Sequence, residues 1–262
     1  MRHSPAQAAG ARPLVIGFTI YTNVTLLDFA GATQILAMAC GRYQPIWLAH
    51  SVAPVATSEG VSVLPGFSFE NHPPIDILFV PGGGAYGPNG ELGGGVIGSM
   101  FDPLFQGFVR KTAQTANWVG SVCNGAFILA AARLLDGIRA TTYWSLLPQL
   151  KTIGEAYGFE VDVHNYPRWE ICEKSHRFSG GGISSSIDLA LQLVHLLDGK
   201  TAAKEAQLSV QYAPKPPFDS GDPSSAPANV LKSVRQDQAG FDREFSLAVE
   251  RLLKASPSAK GS

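Results

Sequence analysis

The chain of 262 residues is 45% hydrophobic and 16% charged, with a formal net charge of −1, a balance that allows one large core. No basic block stands out, which argues against a nucleic-acid partner, and the longest apolar runs, such as FILAAA, are too short to cross a bilayer. Cys40, Cys123 and Cys172 are far apart and form no CxxC pair, so no disulfide framework is expected and a cytoplasmic, reducing location is.

The first thirteen residues, MRHSPAQAAGARP, are polar, small and proline-bearing, and a disordered segment is expected over 1–13. With LVIGF after them they weakly mimic a secretory signal, but the apolar part is short and leads into a strand pattern. Leu14 to Tyr21 (LVIGFTIY) suits a strand buried on both faces of a parallel sheet. LLDFAGATQILAMA then spaces apolar residues three and four apart, which predicts a helix. YQPIWLAHS reads as a second strand, and PVATSEGVSVLP alternates around Glu59-Gly60 as a hairpin does. DILFVPGGG is a buried strand ending in glycines, PLFQGFVRKTAQTA a helix and NWVGSV another strand. Helix, strand and helix alternate again through SLLPQLKTIGEAYG, FEVDVHN and ISSSIDLALQLVHLLDG. The alternation predicts a doubly wound α/β domain over 14–200, with some antiparallel additions.

Beyond Gly199 the pattern changes. TAAKEAQLSVQY is helical, and APKPPFDSGDPSSAP is an extended arm rich in Pro and Ser. A helical pattern then resumes with Phe241, Phe245, Val249 and Leu252 on one face, and SPSAKGS reads as a tail. This C-terminal part, 201–262, needs a surface to pack on, either its own domain or a partner subunit.

In open α/β sheets ligands bind at the carboxyl ends of the strands, and three such ends carry suggestive residues. Asp28 follows strand one between apolar neighbours; it is either a capping carboxylate or one with a raised pKa for acid–base work. Gly82 to Gly84 leave backbone N–H groups open to an anion or oxyanion, or form only a flexible loop. Cys123, in SVCNG, sits where a strand turns into a helix. Such a turn pushes the side chain into the crevice, and the helix N-terminus favours thiolate. The pattern leaves open a small buried cysteine that fills a gap. His3, His50, His72, His164, His176 and His195 show no HxH or HExxH spacing, so no metal site is expected, and His195 reads as a packed residue.

In order and spacing, LLDFAG, DILFVPGGG, SVCNGAFILAAARLLDGIRATTYW and SGGGISSSIDLALQLV resemble the DJ-1/PfpI superfamily over Leu14 to Gly199. VQYAPKPPFDSGDPSSAP resembles the C-terminal signature of its isonitrile hydratase subgroup. The resemblance implies a flavodoxin-like three-layer α/β/α sandwich of the class I glutamine amidotransferase-like kind, a homodimer and an enzyme without cofactor. It implies that Cys123 attacks the terminal carbon of an isonitrile, that Asp28 carries the proton, and that a thioimidate is hydrolysed to an N-substituted formamide. Asn124 and the amides of Gly83 and Ile183 are then expected to orient substrate or water, with Gly82 beside them. The turn from Gly180 to Ile183 is expected to lie beside the cysteine and lead into a mobile helix. Two residues depart from the subgroup pattern: Asn124 stands where Thr is common, and Tyr143, in TTYW, stands where a His would be. Tyr143 weakens the case for glyoxalase, amidase or protease chemistry. The other readings are a redox or stress module in which Cys123 is oxidised and, from relatives fused to helix-turn-helix pairs, a transcriptional regulator.

Overall fold

The computed structural model describes residues 12–39, 41–87 and 94–255. Cys40, nearly all of the expected disordered segment and the SPSAKGS tail lie outside the described residues. The sheet is built on β1 (Leu14–Thr19), whose residues from Val15 on are all buried. It pairs in parallel with β2 (Tyr43–Ala49) on one side and with β6 (Ile77–Val80) on the other. The edge strand β5 (Phe67–Ser68) pairs with β2. On the far side β6 pairs with β7 (Trp118–Ser121), and β7 with β9 (Arg177–Gly180), both parallel. The last strand, β8 (Trp169–Cys172), runs antiparallel to β9. The order is β5-β2-β1-β6-β7-β9-β8. The chain reverses its winding between β1 and β6, the place where such sheets open a crevice.

α1 (Leu26–Met38) packs on α6 (Ser185–Ser209). A second helical group comprises α2 (Gly95–Phe101), α3 (Pro103–Thr112), α4 (Ala126–Ala131), α5 (Leu147–Tyr157) and α7 (Ala228–Ala255). Asp102 starts α3 by accepting the N–H groups of Leu104 and Phe105, with Pro103 in the first turn. The predicted hairpin forms as β3 (Val55–Ala56) and β4 (Ser62–Val63), Val55 opposite Val63, with Gly60 at φ 79°.

Two expectations need correction. FEVDVHN is not a strand: only Glu160 makes a single bridge, with Arg139. Asp162 accepts the N–H groups of His164 and Asn165, a local turn that competes with a ladder. The hairpin β8–β9 takes its place in the sheet. The helices predicted on either side of Gly199 are both present, and α6 is broken between them at Gly199, where φ is 87° and ψ 169°. His195 is exposed rather than packed. The C-terminal helix packs on its own domain, where the Phe245 and Phe127 rings, both fully buried, stand 4.8 Å apart edge to face.

Candidate active site

β7 ends at Ser121, and Cys123 to Gly125 form a tight 3₁₀ turn that feeds α4. Cys123 itself sits at φ 55°, a left-handed conformation that a non-glycine residue adopts only when its surroundings hold it. Two hydrogen bonds do so. Its N–H donates to the Gly181 carbonyl at 2.7 Å, and its carbonyl accepts the Thr142 hydroxyl at 2.8 Å. The turn after β9 and the segment after α4 therefore clamp the cysteine from both sides. Gly125 is needed here because a Cβ would stand 2.3 Å from the Val80 carbonyl.

The side chain is 6% exposed, and Asp28 on α1 is 0% exposed. Burial pushes the Cys123 thiol well above its ordinary range; the Asp28 charge adds to the rise, and the Asn124 N–H offsets part of it. Burial thus works against the thiolate that the helix N-terminus favours. Burial likewise pushes Asp28 up to about 8; the Gly82 N–H opposes this and the charge of Glu59 adds to it. One carboxyl oxygen, Oδ2, accepts the Gly82 N–H at 2.8 Å. The other, Oδ1, has no partner in hydrogen-bonding geometry among the described residues, while the thiol lies close enough to interact with the carboxyl. A buried oxygen in that state is better protonated than charged.

The glycine run does not offer open amides. Gly82 N–H goes to Asp28, Gly83 N–H to Asn124 Oδ1 at 2.8 Å, and Gly84 N–H to the Asn23 carbonyl at 2.8 Å. The oxyanion reading of this loop fails because each donor is already used to position a neighbour. Asn124 is fully buried and also donates from Nδ2 to the Gly83 carbonyl at 2.8 Å, so its amide clips the loop after β6 to the cysteine turn. No larger residue fits at Gly82, where a Cβ would stand 2.2 Å from Asn124 Oδ1 and 2.8 Å from Cys123 Cβ. By contrast, the N–H groups of Gly182 and Ile183 have no acceptor among the described residues.

Thr142 and Gly181 also line a cleft of about 380 Å³, together with Tyr143, Gly182 and Ile183. The structure thus brings Cys123, Asp28, Asn124, Gly82 and Gly83 into one cluster and sets Tyr143 and Ile183 in the cleft beside it. Cys172 lies on the edge strand β8, away from this cluster.

Four residues near the site carried no sequence signal that was used. Tyr21, buried at the end of β1, donates its hydroxyl to the Pro81 carbonyl at 2.8 Å. Glu59, at the hairpin tip, accepts the Leu26 N–H at 3.0 Å and caps α1 in place of a side chain at Thr25. Thr142 clamps the cysteine carbonyl, and Gln238 of α7 hydrogen-bonds the Tyr143 hydroxyl at 2.5 Å. Tyr21, Glu59 and Thr142 lay inside quoted runs without being given a role at the site, and Tyr21, Glu59 and Gln238 act through contacts far apart in sequence.

A parallel sheet with a strained cysteine at the end of β7 and a carboxyl presented from α1 defines a class: the chain belongs to the DJ-1/PfpI family, whose pattern matches residues 18–195. It is 36% identical over 227 residues to an isonitrile hydratase from Pseudomonas putida, a match covering 86% of this chain and 90% of that protein. It is 27% identical over 187 residues to the HTH-type transcriptional regulator GbdR from Pseudomonas aeruginosa, but spans only 46% of that regulator. Among solved structures, a ThiJ/PfpI family protein from Pseudomonas syringae superposes with a TM-score of 0.79 at 27% identity, covering 90% of each chain. Drosophila melanogaster DJ-1beta shares the fold, with a TM-score of 0.60 at 18% identity, covering 77% of this chain and 100% of that one.

Proposed function

We propose that this protein hydrates isonitriles to N-substituted formamides through a covalent thioimidate on Cys123, with Asp28 as proton carrier. One observation carries the reading: a buried thiol faces a buried, proton-holding carboxyl, in a chain 36% identical to an isonitrile hydratase along 86% of its length. Isonitrile carbon accepts a nucleophile readily only when a proton reaches that same carbon. Asp28 gives its proton to the carbon as sulfur attacks, and takes the thiol proton in return. The C–H and C–S bonds form, the S–H bond breaks, and Asp28 ends as it began. In the second step water attacks the thioimidate carbon while Asp28 protonates nitrogen and accepts a water proton. Collapse breaks the C–S bond, returns a proton to sulfur and releases the formamide. One group acting as acid and then base is normal in two-step covalent catalysis and contributes about 10²–10⁴-fold. Isonitrile and water balance both steps without a cofactor. The unpaired N–H groups of Gly182 and Ile183 orient substrate or water; Gly82, Gly83 and Asn124 hold the acid and the cysteine turn in place.

A redox sensor needs an accessible thiol with a lowered pKa. The 6% exposure of Cys123 leaves an oxidant little access, and the 36% identity to an isonitrile hydratase favours the hydratase reading instead. The protein acts as a homodimer in the cytoplasm, a reading supported by the family resemblance and by the unpaired thiols of Cys123 and Cys172. Among the described residues no helix is long and apolar enough to cross a membrane. The test is to incubate the protein with a simple alkyl isonitrile and follow the formamide by NMR. Wild type turns over and Cys123→Ala does not; equal rates in both contradict the covalent scheme.

A further inference from the structure

Resting on the hydratase reading, we propose that the C-terminal helix α7, outside the matched family region, sets which R group is accepted. Gln238 does this as a positioning residue by fixing Tyr143 as one wall of the cleft, and the R group is ring-bearing and not anionic, such as aryl, benzyl or cycloalkyl. The cleft adjoins the two groups that clamp Cys123, Thr142 and Gly181, so a substrate whose terminal carbon meets sulfur extends its R group there. Its volume of about 380 Å³ lies within the range of small-ligand sites, and Leu27, Tyr143, Trp144, Tyr166 and Ile183 give it an apolar, aromatic part beside a polar part from Thr142, Arg168, Ser184 and Asp222. Its two charged residues already have partners. Arg168 pairs with Asp188 at 2.5 Å, and Asp222 accepts the Ser224 N–H at 2.8 Å. Arg168 is already neutralised by Asp188 and the charge of Asp222 repels an anion, so the cleft offers no cation to an anionic R group.

The wall is held from α7, residue by residue. Gln238 bonds the Tyr143 hydroxyl at 2.5 Å, Arg235 lies over the Trp144 ring at 6.0 Å, and Asp242 accepts the Ser145 hydroxyl at 2.8 Å. Spacings of three and four put these residues on one helix face, against three consecutive residues of which Tyr143 and Trp144 line the cleft. Gly182 lets the Tyr143 ring lie on the turn, since a Cβ there would stand 3.1 Å from its Cδ2. The helix itself is anchored separately by Phe245 on Phe127.

The test compares kcat/KM for benzyl isonitrile with that for methyl isonitrile in wild type, Gln238→Ala, Tyr143→Phe and the double variant, with a melting curve for each. A single lost hydrogen bond should lower the benzyl-to-methyl ratio about three- to tenfold in either single variant, mainly through KM for the benzyl substrate. The double variant should fall no further, because both changes break one link. If either single variant fails to fold, the other carries the comparison. An unchanged ratio, or losses that add in the double variant, overturns the inference while leaving the hydratase reading intact. No hydration of either isonitrile by wild type overturns that reading and this inference with it.

Discussion

At the scale of single residues, Asp28 is set by what its carboxyl lacks. One oxygen has the Gly82 N–H and the other has no well-formed hydrogen bond among the described residues, so burial holds the proton on and lifts the pKa to about 8. The unfolded value is about 3.8, so the folded state binds more protons between those limits. Stability therefore falls as pH rises through that window, and the loss is complete above it. Asp28→Asn removes the titration while keeping an oxygen for Gly82. Urea unfolding should show this variant gaining on wild type by as much as about 1.4 kcal/mol per pH unit from pH 5 to pH 7; an equal difference at both values contradicts the raised pKa. Cys123 and Asp28 were legible because strand ends announce themselves in a βα alternation. What could not be read was bookkeeping among donors: that Gly82, Gly83 and Gly84 are spent on Asp28, Asn124 and Asn23 depends on atoms more than forty residues apart in every case.

Among elements, the β3–β4 hairpin reaches the chemistry through Glu59, which caps α1 and whose charge helps to raise Asp28. If protonated Asp28 is the acid, kcat/KM is level below its pKa and falls as pH rises through about 8. Glu59→Gln removes a negative charge, eases deprotonation of Asp28 and should move that alkaline limb to lower pH. A limb that stays put, or moves up, contradicts the coupling. The hairpin was visible in the sequence because Glu59-Gly60 separates two alternating runs, but its role as a cap was not, since a helix normally takes its cap from the residue just before it. α2 hid in a glycine-rich stretch whose Gly95 adopts φ 67°, and the run FEVDVHN looked like a strand until Asp162 claimed its backbone.

For the whole molecule, the doubly wound α/β class and the place of the crevice followed from pattern and family resemblance, whereas the strand order and the seat of the C-terminal helix did not. An apolar stripe shows that α7 packs, but not on what. Phe245 against Phe127 resolves that in favour of its own domain. The remaining apolar surface includes Leu208 at 80% and Phe218 at 79% exposure, on and just beyond the second half of α6. Burial of such groups in a second copy is consistent with the homodimer reading, and light scattering should give twice the mass of the chain; a monomer mass at working concentration contradicts it. The most direct measurement is the intact mass of enzyme in excess over benzyl isonitrile, quenched in acid within a turnover and followed by peptide mapping. The expected result is a mass gain equal to one isonitrile, carried on the peptide containing Cys123, decaying as N-benzylformamide appears and absent from Cys123→Ala. Formamide formation with no adduct at any quench time, or at an undiminished rate in Cys123→Ala, would contradict covalent hydration at this cysteine.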